Sequence, residues 1–274
     1  MDSPAMDKAV ILARGLGTRM RKEDEAAGLD EKQRKMAETG VKALIPIGRP
    51  FLDYVLSGLA DAGYRRICLV VAPEHDVIRQ YYHEEVRLTR VEIQFAVQVD
   101  PNGTADAVAA AEPFAGDDDF LVINSDNYYP QEALCGLRQQ DGFATALFEQ
   151  DAMFAGSNIA ADRIRQFAVG KIDAGGHLER ILEKPAADTL ADLPRPLWLS
   201  MNCWRFGPAI FDACRAIQPS ARGELELPDA VQHTIDVLGH PFRAVTVRAP
   251  VLDMTSRRDI ASVAEKLAGT EVSL

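Results

Sequence analysis

The architecture of this chain follows from the stretch Val10-Ile11-Leu12-Ala13-Arg14-Gly15-Leu16-Gly17-Thr18-Arg19. Four apolar residues run directly into G-x-G-T-R, which is typical of a buried parallel strand that ends in a tight glycine loop. Such loops lie at the carboxyl ends of strands, where open α/β sheets bind ligands. Glycine permits positive φ and close backbone approach, and Arg19 adds a permanent cation. The stretch predicts a phosphate site, with an ordinary strand-to-helix turn as the alternative.

Two common nucleotide-binding signatures do not fit this loop. A dinucleotide-binding fingerprint needs a third glycine and an acidic residue after a second strand, which the sequence does not supply at the expected distance. A Walker A loop needs G-K-[ST] after its glycines, which the sequence also lacks. The loop therefore indicates a phosphate site of another kind.

Composition limits the class of function. With 274 residues, of which 47% are hydrophobic and 26% charged, the chain can bury a full core as one large domain. Its net charge of -11 argues against general binding to nucleic acid or to an anionic membrane surface. The sequence has neither a signal peptide nor an apolar run of about 18 residues, so we expect no membrane partner and a cytoplasmic location.

Cysteine and histidine spacing does not indicate a metal site. The four cysteines form no C-x-x-C pair, which favours reduced, structural thiols. The five histidines lack the spacing of metal ligands. A cation site, if present, must use other side chains.

Hydrophobic periodicity predicts alternating strands and helices in the first half of the chain. Predicted strands cover 66–72, 91–97 and 120–123, and predicted helices cover 51–62, 75–83 and 105–111. This βαβ order favours a mainly parallel sheet. The charged segment from Arg21 to Thr39 should contain a short exposed helix, with a capping box at Asp30 and a stop at Gly40. That helix is either a solvated flap or a lid over the glycine loop.

The pattern changes after Pro130. The second half predicts strands at 143–149, 198–206 and 242–247, a β-hairpin at 168–183, and helices at 209–217, 229–238 and 257–267. Asp253 should lie in a turn. Asp126 follows the strand at 120–123, where an α/β sheet presents ligands, although an aspartate there can also be an Asx cap.

Several short motifs follow one another in the order found in one enzyme family. They are the glycine loop, Lys42, Gln98 with Gly103, Asp126, Glu183-Lys184 and Asp253. Together they resemble the sugar-1-phosphate nucleotidylyltransferases (NDP-sugar pyrophosphorylases), particularly the glucose-1-phosphate thymidylyl- and uridylyltransferases. The resemblance runs from Lys8 to about Leu267, nearly the whole chain.

The resemblance implies a role for each of these residues. The nucleotide would contact Leu12, Ala13, Gly15, Gly17, Thr18, Gln98, Gly103 and Thr104. The catalytic cations would be Arg19 and Lys42, and the sugar phosphate would contact Glu183, Lys184 and Asn202. The metal ligands would be Asp126 and Asp253, with Mg²⁺ as the cofactor.

The resemblance also implies a fold and a reaction. The fold would be a Rossmann-like α/β three-layer sandwich with a mainly parallel mixed sheet and a small sugar-binding lobe. Residues 1–274 would form a single domain, with a nucleotide-binding half at 6–130 and a sugar-phosphate-binding half at 131–270. The partners would be NTP and sugar 1-phosphate, and a homo-oligomer is compatible with the family.

Elementary chemistry supports this assignment. A sugar phosphate of about double negative charge must approach an α-phosphorus that is already surrounded by anions, so the site must supply cations, a metal and alignment. Hard Mg²⁺ takes one or two carboxylates together with substrate phosphates, which suits two separate aspartates. Direct displacement at the α-phosphorus needs no side-chain nucleophile.

Four departures from the family pattern affect the details. Arg14 replaces a small residue in the glycine loop, where its side chain would either reach the triphosphate or point to solvent, and we favour solvent. The segment between Arg19 and Lys42 is longer than usual, and no tryptophan precedes Asp253. Asn202 takes the place of a glycine, which leaves a cyclitol 1-phosphate with a purine NTP as an alternative substrate pair.

Two other functions fit parts of the same pattern. A nucleotide-sugar-dependent glycosyltransferase would use a D-x-D metal motif, and the run 117–119 has these letters. This run precedes a predicted strand, so we expect a solvated turn. A non-catalytic nucleotide-sugar sensor would have lost its lysine or metal positions, all of which are present here.

Overall fold

The structure, a computed structural model, describes residues 6–22, 24 and 27–274. The strands are β1 (Lys8–Leu12), β2 (Arg66–Val71), β3 (Glu92–Val97), β4 (Phe120–Asn124), β5 (Asn127–Tyr128), β6 (Ala144–Glu149), β7 (Val169–Ile172), β8 (His177–Leu182), β9 (Trp198–Phe206), β10 (Phe242–Val247) and β11 (Leu252–Asp253). The helices are α1 (Thr18–Arg21), α2 (Glu31–Thr39), α3 (Phe51–Asp61), α4 (Asp76–Gln80), α5 (Thr104–Ala109), α6 (Glu112–Ala115), α7 (Gln131–Arg138), α8 (Gln150–Gly156), α9 (Ala161–Ile164), α10 (Ala187–Asp192), α11 (Ala209–Ala216), α12 (Leu227–Asp236) and α13 (Arg257–Lys266).

One nine-stranded sheet runs through both halves of the chain, in the order β3-β2-β1-β4-β9-β6-β10-β8-β7. The first four strands are parallel, as the βαβ order predicted. Alternate residues of β1 enter opposite faces of the sheet, with Ile11 in one apolar cluster and Val10 in the other. Because both faces of the sheet are covered, β1 is apolar from Ala9 to Leu12. The predicted α/β layered architecture with a mixed sheet is confirmed.

The second half of the sheet closes on itself. Strand β7 pairs with β8 and also with β9, through Val169 and Leu199, so β9, β6, β10, β8 and β7 form a small barrel. The pairing of β9 with β6 shifts register between Thr145 and Leu147, and Asn202 lies at this irregularity with φ of 53°. The hairpin predicted at 168–183 is therefore part of a closed barrel.

The helix predicted between Arg21 and Gly40 is α2. Asp30 and Gln33 form its capping box, and Gly40 ends it with φ of 76°. Arg21 donates hydrogen bonds to the carbonyl oxygen of Thr39 through Nε (3.1 Å) and Nη2 (2.8 Å). The carboxyl end of α2 is therefore attached to the segment that follows the glycine loop.

One local prediction is confirmed with a change of helix type, and another was wrong. The helix predicted at 75–83 is present as an α-helix to Gln80 and continues as one wider π turn to Glu85. Asp253, predicted in a turn, lies in the short strand β11, which pairs with β5. None of the helices in the described residues is long and apolar enough to cross a membrane.

Candidate active site

A cavity of about 390 Å³ lies at the carboxyl ends of β1 and β4. The pairing of Leu12 with Asn124 brings the ends of these two strands together, and the Ser125 N–H donates to the Leu12 carbonyl (3.1 Å). The lining residues come from segments that are far apart in the sequence: 12–19, 40–43, 98, 101, 103, 104, 107, 124–126 and 224. The cavity thus brings together every predicted nucleotide-binding residue, both predicted catalytic cations and Asp126.

The glycine loop is shaped by two positions without side chains. Gly17 has φ of 61°, and a Cβ atom there would lie 2.2 Å from the carbonyl oxygen of Gly40. Only glycine permits this contact between the loop and the end of α2. Around Gly15, by contrast, a Cβ atom would meet nothing within 4 Å. The loop therefore exposes its backbone at Gly15 to open space in the cavity.

Arg14 does not point to solvent, contrary to the prediction. The residue is only 8% exposed, and its Nη2 donates to the Val99 carbonyl at 3.3 Å. Its Nε and Nη1 are buried without a hydrogen-bond partner in the described residues. The long aliphatic part of an arginine can pack under a loop, and sequence position alone did not reveal this. Arg14 therefore adds an internal cation to the wall of the cavity.

His75 lies just after β2 and interacts electrostatically with Arg14 of the glycine loop. Its Nδ1 accepts from the Ala72 N–H (3.4 Å), which requires an unprotonated nitrogen. Burial, aided by the charges of Arg14 and Arg79, lowers the pKa of His75. The folded protein therefore prefers neutral His75.

The stability of the protein should depend on pH through His75. Because the folded-state pKa lies below the ordinary value near 6.5, the unfolded chain binds more protons as the pH falls below that value, and this contribution to stability is lost. The slope from this group is at most about 1.4 kcal/mol per pH unit. Urea unfolding of wild type and His75→Gln between pH 5 and 8 should show the difference between them shrinking toward low pH. Parallel curves would contradict this assignment.

Gln98 has a fixed amide orientation. Its Nε2 donates to the Gly103 carbonyl (3.0 Å) and to Oδ2 of Asp106 (2.7 Å). Both partners are acceptors, so the NH₂ group must face them, and Oε1 is left as the free hydrogen-bonding atom of this side chain. Within the described residues Oε1 has no partner. Gln98 therefore offers the cavity an acceptor.

Gly103 also lines the cavity, and its backbone is in close contact with the backbone of Leu225. It has φ of 114°, and a Cβ atom there would lie 2.4 Å from the Leu225 carbonyl oxygen. Leu225 bonds to the chain on both sides of Gly103, through Asn102 and Ala105. The Thr104 hydroxyl accepts from the Leu227 N–H (2.9 Å). The predicted nucleotide-binding segment is thus joined to the start of α12.

Alanine at Gly103 should destabilise the protein by about 2 kcal/mol or more, because the positive φ and the contact with Leu225 backbone are both incompatible with Cβ. Thermal unfolding would measure the loss. Gly15→Ala is the matched control: its Cβ meets open space, so it should keep the melting temperature and instead weaken NTP binding. Equal melting temperatures for the two variants would contradict this account of the wall.

The two predicted metal ligands are neighbours. Lys42 Nζ contacts Oδ2 of Asp126 at 2.6 Å, and the Met254 N–H donates to the Asp126 carbonyl at 2.8 Å. Asp253 is paired with Asn127 across β11 and β5. Burial, and then the charge of Asp126, raise the pKa of Asp253. Two carboxylates that repel one another in a mostly buried position are suited to sharing a cation.

The chemistry of these donors fits Mg²⁺ better than a metal that prefers nitrogen or sulfur. The described residues contain no group of three or more His, Cys, Asp or Glu side chains able to hold a metal. Two carboxylates with substrate phosphates would complete a set of oxygen ligands. Asp126 and Asp253 therefore fit the protein's share of such a site, and water or substrate phosphates would fill the remaining positions.

The residues that hold Asp253 were not among the predicted site residues. Asn127 Nδ2 donates to Oδ2 of Asp253 (3.2 Å), and Arg163 Nη2 donates to Oδ1 (3.2 Å). The amide of Asn158 contacts the Asp253 backbone. Asn127 adjoins Asp126 and could have been considered, but the others come from a segment without a sequence signal.

The predicted sugar-phosphate residues lie outside the lining of the cavity. Glu183 and Lys184 are exposed after β8, and Lys184 has φ of 42°. Glu183 interacts electrostatically with Arg222 and with other charges near the start of α12. The backbone oxygen of Asn202 accepts from the Tyr129 hydroxyl (3.2 Å). The structure thus assembles the nucleotide set in one cavity and places the sugar-phosphate set on the barrel.

Comparison with known proteins gives a family match over most of the chain. A family model described as nucleotidyl transferase matches residues 8–242. UTP--glucose-1-phosphate uridylyltransferase AglF of Haloferax volcanii is 30% identical over 227 residues, which cover 82% of this chain and 82% of that protein. Glucose-1-phosphate thymidylyltransferase of Streptomyces griseus is 29% identical over 257 residues, 93% of this chain and 64% of that protein.

A third relative is also longer than the matched region. The low-salt glycan biosynthesis nucleotidyltransferase Agl11 of Haloferax volcanii is 29% identical over 233 residues, which cover 84% of this chain. The match spans 57% of the length of Agl11. The match thus covers most of this chain and somewhat more than half of Agl11.

Solved structures share the fold at low sequence identity. UDP-glucose pyrophosphorylase complexed with UDP-glucose superposes with a TM-score of 0.72 at 17% identity, covering 97% of this chain and all of that one. The inositol-1-phosphate CTP transferase from T. maritima superposes with a TM-score of 0.74 at 15% identity, covering 99% of each chain. At these identities the matches show the fold alone.

Proposed function

The chain belongs to the nucleotidyl transferase family, and from this premise we propose that it converts NTP and a sugar 1-phosphate to NDP-sugar and pyrophosphate. One observation carries the proposal. A single cavity collects the glycine loop, Arg19, Lys42, Gln98 and Asp126. These are the groups needed to hold a nucleobase at one end and neutralise a triphosphate at the other.

The residues of this chain would act by binding and alignment. Backbone N–H groups of the glycine loop, with Arg19 and Lys42, would hold the triphosphate and offset its charge. The attacking group is the phosphate of the sugar substrate, so displacement at the α-phosphorus is direct and the protein supplies no nucleophile. Lys42 contacts Asp126 in this structure and is close enough to the glycine loop to serve the triphosphate as well.

Asp126 and Asp253 would hold Mg²⁺. The bound ion would neutralise phosphate charge that builds up during displacement. The proximity of the two carboxylates and the raised pKa of Asp253 support this assignment, because repulsion between them falls when a cation lies nearby.

We propose a uracil- or thymine-bearing triphosphate. Asp106 and Gly103 occupy both N–H bonds of Gln98, so the base must offer a donor to the Gln98 oxygen. The ring N–H of uracil and thymine supplies one. Two relatives are named for uridylyl and thymidylyl transfer, which agrees with this choice. Guanine also has a ring N–H, and the amino groups of cytosine and adenine are donors as well, so GTP, CTP and ATP are all informative competitors.

We propose a hexose 1-phosphate, such as glucose 1-phosphate, as the acceptor. Glu183 would bind a sugar hydroxyl and Lys184 the phosphate, and the relatives are named for glucose 1-phosphate. The asparagine at position 202 has φ of 53°, a conformation in which asparagine is among the best tolerated residues after glycine. The backbone thus explains this substitution without an unusual acceptor such as a cyclitol phosphate.

A pyrophosphate-release assay with Mg²⁺ tests the proposal. UTP, dTTP, CTP, ATP and GTP would each be combined with glucose, galactose and N-acetylglucosamine 1-phosphates and with inositol 1-phosphate. We expect release only when both substrates are present, fastest with UTP or dTTP and a hexose 1-phosphate. Release from NTP alone, or none with any pair from folded protein, would overturn the activity. A preference for GTP, CTP or ATP would overturn the choice of base.

A further inference from the structure

The segment between β6 and β7 packs against the strand that carries Asp253. It consists of α8, α9 and the residues that join them. The Ser157 hydroxyl donates to the Val251 carbonyl at 2.6 Å. A Cβ atom at Gly156 would lie 2.7 Å from the ring of Pro250, so the two segments are in close contact. The segment is therefore placed to control the position of β11.

Asn158 fixes the backbone of Asp253 from both sides. Its Nδ2 donates to the Asp253 carbonyl (2.8 Å), and its Oδ1 accepts from the Asp253 N–H (2.9 Å). One amide thus reproduces the pair of hydrogen bonds that a neighbouring strand would make. Strand β11 has only two residues and makes few backbone hydrogen bonds of its own. The contact with Asn158 therefore helps to hold it in place.

Arg163 fixes the side chain of the same residue. Its Nη2 donates to Oδ1 of Asp253 at 3.2 Å, and its Nη1 lies 3.7 Å from Oδ1 of Asp259. Asp259 is itself held at the start of α13, where it accepts from the Thr255 and Ser256 N–H groups. The guanidinium therefore bridges an anchored carboxylate and Asp253, and it is 29% exposed at the side chain.

Each of the two adjacent carboxylates thus has its own cation. Lys42 pairs with Asp126 at 2.6 Å, and Arg163 pairs with Asp253 at 3.2 Å. Lys42 also borders the cavity and can serve the triphosphate. Arg163 does not border the cavity, so a role in binding the nucleotide would not explain its charge.

We propose that Arg163 is a positioning residue that orients Asp253 and places a permanent positive charge beside the metal site. This inference rests on the proposed function. A divalent cation that binds Asp126 and Asp253 then does so against a positive charge held nearby. Arg163 fixes the direction of the carboxylate and at the same time limits how tightly the ion is held.

The proposal predicts opposite changes in two quantities. Removing the charge in Arg163→Gln should tighten divalent-ion binding by about tenfold, because a repelling cation within a few ångströms is lost. Turnover should fall by about tenfold, because Asp253 loses its fixed orientation. Arg163→Lys keeps the charge, so it should retain the ion affinity of wild type. A role in folding alone would not produce tighter ion binding.

Direct Mn²⁺ titration of the full chain, followed by loss of the free-ion electron paramagnetic resonance signal, measures the affinity without turnover. Arg165→Gln is the matched control, since Arg165 is exposed in the same segment and lies over the ring of Phe154. It should leave both Mn²⁺ affinity and turnover unchanged. Unchanged or weaker Mn²⁺ binding in Arg163→Gln would overturn the proposal.

A second neutral variant distinguishes the loss of the charge from misfolding of one particular variant. Arg163→Met should shift Mn²⁺ affinity in the same direction as Arg163→Gln, and loss of the fold in both variants would also overturn the proposal. Failure of the proposed function is a separate result. It would appear as wild-type protein that binds Mn²⁺ but releases no pyrophosphate. The Mn²⁺ affinities of wild type and the Arg163 variants would still show whether Arg163 weakens ion binding.

Discussion

Asparagine in place of Asp126 is expected to lower kcat by about a thousandfold or more while the protein stays folded. The carboxylate pairs with Lys42 and interacts electrostatically with Asp253, so its charge would serve both the lysine and a shared cation. Asparagine has nearly the same shape but cannot supply that charge. Losing a metal's stabilisation of a developing phosphate charge costs about 4 kcal/mol, which is about three orders of magnitude in rate. Pyrophosphate release across a Mg²⁺ series would measure the effect.

Asp117→Asn is the control for this prediction. Asp117 is exposed and lies in the turn before β4, whereas Asp126 follows that strand. The two aspartates that follow Asp117 already form ion pairs with basic side chains: Asp118 pairs with Lys8 (2.8 Å) and Asp119 with Arg205 (2.7 Å). Full activity in Asp126→Asn, or loss of activity in Asp117→Asn, would contradict the proposed metal site.

The parts of the fold that could be predicted depend on local sequence. Strand β1 and the glycine loop are specified by adjacent residues, and α2 is bounded by its own capping box and by Gly40. Buried parallel strands are continuous apolar runs, which is why β1, β2 and β4 were placed to within a residue or two. The nucleotide cavity followed from these strands, since their carboxyl ends meet at one edge.

The closed barrel could not be predicted because it depends on pairing between distant strands. Strand β7 meets β9 through a single residue pair, Val169 and Leu199, and no local pattern specifies that contact. The hairpin formed by β7 and β8 was predicted from its own glycine turn. Its attachment to the rest of the sheet required the whole chain.

The directions of side chains near the cavity also could not be predicted from the sequence. Arg14 follows a buried strand and could point either way, and its direction depends on a hydrogen bond to the Val99 carbonyl, which is distant in the sequence. Arg163 and Asn158 come from a segment that is about 90 residues away from Asp253 in the chain, as their hydrogen bonds show. Tertiary contacts of this kind decide which charges surround a site, although the site itself is marked by motifs.

Alanine in place of Lys184 should raise KM for the sugar 1-phosphate by about tenfold to a hundredfold, which is the usual cost of losing a charged hydrogen bond to phosphate. Lys184 has no hydrogen bond or ion pair to the part of the chain that the structure describes, so its ammonium is free to meet a ligand. Its φ of 42° is costly for a residue with a side chain, and such strain is retained where a side chain must be held in one direction.

The KM for NTP should stay within about twofold in the same variant, because Lys184 does not border the nucleotide cavity. Lys171→Ala is the matched control: Lys171 lies on the same hairpin, but its ammonium is bound to Glu179 at 2.7 Å. That control should change neither constant. A similar rise in both KM values for Lys184→Ala would show that the lysine serves the triphosphate, and an unchanged KM for the sugar phosphate would remove it from the acceptor site.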